Sequence, residues 1–150
     1  MRIVNLRRNA GCLRKVGAWA QDSDVTAEQG EDGLWTYRCQ DPSKDFVLFA
    51  WQGDETTDRV GYYFYLRVEP WSAFSRLENI TWVVSGPDWC AGTMKLDGNK
   101  SAFMHAGSSV KLLESGIYSP QDWAKVKAMY DAGDLPTPWF SADTMPLQRG

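Results

Sequence analysis

The sequence has a single histidine, His105, which is the first candidate for general acid–base chemistry near neutral pH. No serine or cysteine stands in a recognisable nucleophile motif, so we interpret His105 as structural. The acid pairs Asp22 with Asp24 and Asp54 with Glu55 could serve a hydrolase, but their polar surroundings favour solvated loop charge. The sequence therefore predicts no nucleophilic or acid–base centre.

A second arrangement has the residue types of a metal-dependent nuclease. Asp88 is followed by Lys95 and Lys100, but Thr93 and Gly98 replace the carboxylate expected two residues before each lysine. A metal site built this way would lack a ligand. The spacing of a glycine-rich phosphate loop is also missing. We therefore expect a protein that is not an enzyme, with no cofactor and no bound metal.

The three cysteines, Cys12, Cys39 and Cys90, are odd in number and widely spaced. With no CxxC pair and one histidine, they specify neither a zinc site nor a disulfide framework. We expect free thiols in a reducing compartment, and one disulfide with a leftover thiol is the alternative.

Hydropathy bears on localisation. No apolar run reaches the roughly 18 residues of a membrane span, and residues 1–8 lack the apolar core of a signal peptide. The expected setting is therefore cytoplasmic on synthesis, without a membrane, and a virion is a further candidate.

Charge is unevenly distributed along the chain. Residues 1–21 carry five basic side chains and no acid, so the remainder has a net charge of −8 within a total of −3. Residues 22–69 contain eleven acids against four basic residues. A basic arm beside an acidic body can seek an acidic partner or nucleic acid, or it can pair with the body itself. The overall acidity disfavours nucleic acid as a partner.

Residue patterns predict a β-rich domain. Polar and apolar residues alternate in the manner of strands at 12–19, 34–39 and 60–68, and apolar runs predict strands at 46–51 and 80–85. Three weaker signals follow: a helix of one to two turns within 70–79, a hairpin whose turn is Asp97-Gly98, and a short strand at 109–114.

One helix has a clear beginning and end. Ser119 is a good N-cap, Pro120 suits the first turn, and Gly133 suits the end of a helix running to about Ala132. Its predicted buried face comprises Trp123, Val126, Met129 and Tyr130.

The predicted architecture is mainly β: an antiparallel β-sandwich or partly open barrel with one C-terminal α-helix and extended terminal arms. An α+β roll is the alternative. Residues 1–133 form one domain that begins with a basic arm, 1–11, and residues 134–150 form an extended tail rich in proline and aromatic residues. The tail is too apolar to stay free, so it should dock on its own domain or on a neighbour.

Twenty aromatic residues in 150 suggest that some serve recognition. Tyr63 and Tyr65 form either an exposed strip for sugar rings or bases, or a strip that a second sheet covers. The residues predicted to contact a partner are Arg7, Arg8, Tyr63, Tyr65, Trp71, Trp89, Trp139 and Phe140.

Residues 117–133, which contain the Ser-Pro start of the predicted helix, resemble the closing segment of laminin-G-like β-sandwich modules, including those in phage tail proteins. The likeness implies a β-sandwich and nothing about individual residues, and it assigns no family.

The leading functional hypothesis is a non-enzymatic protein–protein interaction module. Its most plausible form is a phage or prophage-type virion accessory protein, a decoration or tail component that assembles through its arms as a homo-oligomer or larger particle. One alternative is a small acidic inhibitor of a host defence or toxin protein, and another is a carbohydrate-binding β-sandwich. A chain that clasps its own ends would share the same sequence features.

Overall fold

The computed structural model describes residues 2–7, 10–49, 59–95, 101–140 and 144–146. Within these ranges the chain forms twelve strands, a short 3-10 turn and one α-helix, α1 (Pro120–Asp131). The strands are β1 (Arg2–Val4), β2 (Gly17–Trp19), β3 (Val25–Gln29), β4 (Trp35–Cys39), β5 (Phe46–Phe49), β6 (Tyr63–Glu69), β7 (Phe74–Glu78), β8 (Ile80–Ser85), β9 (Trp89–Met94), β10 (Ser101–Met104), β11 (Ser109–Tyr118) and β12 (Thr144–Pro146).

The strands form two main antiparallel sheets. The four-stranded sheet has the order β2-β5-β10-β7, and the six-stranded sheet has the order β3-β4-β11-β6-β9-β8. Apolar side chains from both sheets meet in one cluster, which we call the sandwich core. The predicted mainly β sandwich with one C-terminal helix is confirmed.

The six-stranded sheet is covered on both faces. Successive side chains of a strand point to opposite faces, so Phe64 and Leu66 enter the sandwich core while Tyr63 and Tyr65 point to α1. The second cluster, which we call the helix-side core, contains the buried residues Ile3, Tyr65, Trp89, Ala91, Tyr118, Trp123, Val126 and Phe140.

Helix α1 follows its sequence signals. The Ser119 hydroxyl accepts a hydrogen bond from the Asp122 backbone N–H at 3.2 Å, as expected of an N-cap. Gly133 has a φ of +82°, the left-handed conformation that commonly ends a helix. Trp123 and Val126 are buried on the predicted face.

The predicted hairpin at Asp97-Gly98 is wrong. These two residues lie outside the described ranges, but the flanking strands do not pair: β9 pairs with β6 and β8, whereas β10 pairs with β5 and β7. The chain crosses from one sheet to the other between them. Hairpins instead join β3 to β4 and β8 to β9.

Three predicted boundaries also change. Residues 70–79 form a 3-10 turn at Trp71–Ala73 followed by β7, because Phe74 and Leu77 join the sandwich core. The strand predicted at 12–19 shortens to β2, and the one predicted at 109–114 continues to Tyr118.

Both terminal segments pack against the body of the same chain. The backbones of β1 and β12 pair with each other over three residue pairs. The buried Asn5 side chain donates to the backbone oxygens of Ser115 and Phe140, at 3.3 and 2.9 Å. Its Oδ1 accepts from the backbone N–H groups of Arg7 and Ile117, each at 3.1 Å. One amide therefore joins the arm, β11 and the tail.

Replacing Asn5 with Ala should destabilise the protein by about 2–4 kcal/mol, because buried backbone groups of three segments lose their partners together. Chemical denaturation measures this change. Thr26→Ala is the matched control, since it removes an exposed side-chain bond to the Arg38 carbonyl and should cost less than about 1 kcal/mol. Equal losses in the two variants would contradict a joining role for Asn5.

The three cysteines are free thiols and all are buried. Burial raises the pKa of Cys12 to about 12 and the pKa of Cys90 to about 12, from an ordinary value of 9.0. Folding therefore favours the protonated thiols. Their contribution to stability is complete below about pH 9 and is lost as the pH rises towards 12.

The free energy of unfolding should accordingly fall at alkaline pH, by up to about 1.4 kcal/mol per pH unit for each thiol. Denaturant titrations between pH 8 and about pH 11 measure the slope. Cys90→Ala should reduce the slope of the unfolding free energy against pH by the contribution of one thiol, whatever its effect on stability at pH 7. An unchanged slope in this variant would rule out the thiol as the cause.

Candidate binding face of the four-stranded sheet

A row of side chains crosses the outer face of the four-stranded sheet. Trp19 on β2 pairs with Val47 on β5, Val47 with Phe103 on β10, and Phe103 with Arg76 on β7. Phe46 and Leu48, the neighbours of Val47, enter the sandwich core, so this row faces away from it. We call these four residues the Trp19 row.

A β-bulge adds a polar group at one end of the row. The register between β10 and β7 shifts at Phe103, so that Ser75 is an extra residue on β7 beside Arg76. Both side chains are exposed. The guanidinium carbon of Arg76 lies 3.9 Å from the centroid of the Phe103 ring, a cation–π contact that fixes the end of the Arg side chain.

Trp19 stands between two clefts, with 55% of its surface exposed. The first cleft has a volume of about 380 Å³ and runs along the row. Its other lining residues are Gln21, Lys44, Asp45, Val47, Ser75, Arg76 and Phe103. The second cleft is shallower, and its other lining residues are Ala20, Asp22, Ser23, Asp24, Gln40 and Asp41.

Hydrogen bonds tie together the two loops that border these clefts. The Ser23 hydroxyl donates to the Asp24 carbonyl at 3.3 Å and accepts from the Asp41 backbone N–H at 3.1 Å. Lys44 Nζ donates to the Gln21 carbonyl at 2.7 Å. The loop conformations are therefore formed before any ligand arrives, which lowers the entropic cost of binding.

Carboxylates outnumber cations around Trp19. The hydroxyl and backbone N–H of Ser43 donate to Asp41 at 2.6 and 3.0 Å and lower the pKa of that carboxyl. The clefts hold four carboxylates, Asp22, Asp24, Asp41 and Asp45, and two cations, Lys44 and Arg76.

Most residues predicted to contact a partner come together, but inside the protein. Tyr65, Trp89 and Phe140 are 0, 1 and 4% exposed in the helix-side core, which corrects the expectation that they lie at the surface. Tyr63 stacks on Trp123 with ring centroids 5.2 Å apart. Of the two alternatives for the tyrosine strip, covering is the right one, and the cover is helix α1 instead of a second sheet.

Three of the four remaining predicted contact residues are also held within the chain. Arg7 is 2% exposed, with Nε 3.3 Å from the Ser115 hydroxyl, so its surface role is likewise corrected. Trp139 donates its indole N–H to the Ser115 carbonyl at 2.8 Å. Trp71 is partly buried and stacks on Phe74. Arg8 lies outside the described residues.

Sequence patterns missed the Trp19 row for a definite reason. Trp19 was expected in a longer strand whose partners were unknown, and Phe103 lies in an apolar run, Ala102 to Met104, that gives no alternation. Only strand pairing brings the four residues of the row together. Three polar residues after Trp19, in Gln21 to Ser23, indicate only that its strand ends there, and its position at the sheet edge comes from the strand order.

Among the described residues, no three His, Cys, Asp or Glu side chains are grouped so as to hold a metal ion, and no helix has the length and apolarity to cross a membrane. His105 is exposed. No protein-family model and no curated protein matches the sequence.

Replacing Phe140 with Ala should destabilise the protein by about 3 kcal/mol, because the ring fills the helix-side core of its own chain. Thermal and chemical unfolding measure the loss, and light scattering shows whether the native mass changes. Leu13→Ala, at an exposed apolar residue, is the control and should stay within about 0.5 kcal/mol. A variant that stays stable but dissociates a larger particle would instead support assembly through the tail.

Proposed function

We propose that this protein is a non-catalytic binding module whose recognition surface is the outer face of the four-stranded sheet. The observation that carries the proposal is the position of Trp19, an exposed indole with a cleft on each side and preformed polar loops around it. Ligand sites combine an apolar surface with a few fixed polar groups in this way.

The placement of aromatic residues supports this choice of face. Among the described residues, three large apolar side chains are exposed: Leu13, Trp19 and Val60. Trp19 is the aromatic one of the three, and tryptophan is prominent among residues that dominate binding energies. The aromatic residues of the helix-side core stabilise the fold and are not accessible in this structure.

The biological setting is a wider proposal. A phage or prophage-type virion accessory protein, made in the cytoplasm and held in a particle, needs an exposed recognition face and secured ends. The Trp19 face and the pairing of β1 with β12 are compatible with that use. The inhibitor alternative has support from the acidic loops, since Asp22, Asp24 and Asp41 border Trp19 and would meet a basic partner.

Small uncharged probes test the recognition face without knowledge of the natural ligand. Phenol, isopropanol and acetamide should shift the NMR signals of the Trp19 indole and of the Val47 and Phe103 amides. Trp19→Phe assigns the indole signal. Trp19→Ala should abolish these shifts while the protein stays folded, with a melting temperature lower by several degrees because nearly half of the side chain is buried.

Val60→Ala, at another exposed apolar residue, should leave the probe shifts unchanged. Probe shifts confined to other surfaces, or absent, would refute the proposed face.

A further inference from the structure

We infer that the ligand of the Trp19 face is a neutral oligosaccharide. One of its sugar rings stacks on Trp19, and the adjacent sugar rings lie in the two clefts. This inference rests on the proposed function and names the ligand class of the same site. It follows from four features: the exposed indole, the mixture of hydrogen-bonding groups, the charge of the lining and the arrangement of the clefts.

The indole supplies the stacking surface. A pyranose ring presents a face of C–H groups. The hydrogens of these groups carry a partial positive charge and are attracted to the negative face of an aromatic ring. Indole has the largest ring face of the aromatic side chains, and over half of the surface of Trp19 is exposed. Phe103 is less suitable for stacking, because the Arg76 guanidinium already lies over its ring.

The surrounding groups match hydroxyls. A hydroxyl both donates and accepts hydrogen bonds, so it needs acceptors and donors close together. Asp45 and Asp24 supply carboxylate acceptors, Lys44 and Arg76 supply donors, and Gln21 supplies both. The lining of the two clefts also contains Lys44 and four Asp residues, types that are depleted at the centres of protein interfaces.

The charge of the lining favours an uncharged ligand. Four carboxylates against two cations give the two clefts together an excess of negative charge. The excess lies in the second cleft, which has three carboxylates and no cation among its described lining residues, whereas the first has Lys44 and Arg76 against Asp45. A polyanion long enough to occupy both clefts would be repelled in the second, because such polymers depend on an excess of Lys and Arg along their whole length. Neutral hydroxyl groups are not repelled by these carboxylates.

The arrangement of the clefts indicates more than one sugar. Trp19 lines both clefts, so a ligand that extends from one cleft into the other lies beside this residue. The paired strands place Phe103 two strands away from Trp19, about 10 Å across the sheet, which extends the first cleft beyond a single ring. A chain of sugars can occupy both clefts, whereas a monosaccharide would fill only one.

The experiment titrates the full-length protein with cellohexaose, xylohexaose, maltohexaose, mannohexaose and chitohexaose, followed by NMR of the Trp19 indole and by calorimetry. At least one should bind with saturation and shift the indole together with the Phe103 and Gln40 amides, which lie in opposite clefts. Trp19→Ala should weaken it by about tenfold or more, in line with losses on removing a stacking aromatic. Trp19→Phe should recover part of that loss, and Val60→Ala should match the natural sequence.

The corresponding monosaccharide should bind more weakly than its hexamer. A heparin fragment and oligo(dT) serve as polyanion probes and should not bind this face. Failure of all five hexamers at millimolar concentration would overturn the sugar inference, as would preference for either polyanion. If the small uncharged probes still bind beside Trp19 in that case, the binding face stands without its sugar; if they also fail, the proposed function is lost as well.

Discussion

Strand β11 supplies side chains to both cores, and a single β-bulge decides which residues go to which. The register against β6 shifts between Leu112 and Glu114. Before the bulge, Val110 and Leu112 enter the sandwich core; after it, Ile117 does so. Because an extra residue exchanges the two faces, a regular strand would direct Glu114 into the sandwich core, where an unpaired carboxylate is costly. The pairing of β11 with β6 therefore depends on this bulge, and so do the sandwich core and the helix-side core on its two faces.

The bulge also gives Glu114 its partners under helix α1. Its carboxylate accepts hydrogen bonds from the Tyr65 hydroxyl at 2.7 Å and from the Thr137 hydroxyl at 3.0 Å. Arg67 lies 3.4 Å away and also bonds to Asp88 at 2.8 Å. Burial, followed by the neighbouring Glu114 charge, raises the pKa of Tyr65, so the hydroxyl remains a donor at neutral and moderately alkaline pH. Through Thr137 the network holds the start of the tail, while Asn5 holds its continuation, so the two ends of the chain become parts of the body.

How far the sequence predicts this structure depends on the range of the interaction involved. Helix α1 was predictable because Ser119, Pro120 and Gly133 act within a few residues of the helix they define. The strand faces of β4 and β6 were predictable from alternation. The end of β11 was not, because the bulge interrupts the alternation at Leu112-Leu113-Glu114, where the predicted strand stops. The hairpin at Asp97-Gly98 failed because turn residues indicate a change of direction but not the sheet that the next strand joins. The aromatic content suggested recognition residues at Tyr65 and Trp89, but only the position of α1 shows that these side chains are buried in the chain's own core.

The same division of layers supports the proposal that recognition lies on the four-stranded sheet. In the six-stranded sheet both faces are needed for stability, so changing an aromatic residue there for a new ligand would weaken the fold. The four-stranded sheet has only its inner face in a core, and in its Trp19 row Trp19 and Arg76 are exposed, Phe103 is partly buried and Val47 is buried. Trp19 is exposed on an edge strand, with few contacts to lose, and its polar neighbours lie on loops that are held by their own hydrogen bonds. Residues on this face can therefore be exchanged while the two cores stay unchanged, and this separation of scaffold from surface supports the proposed binding module.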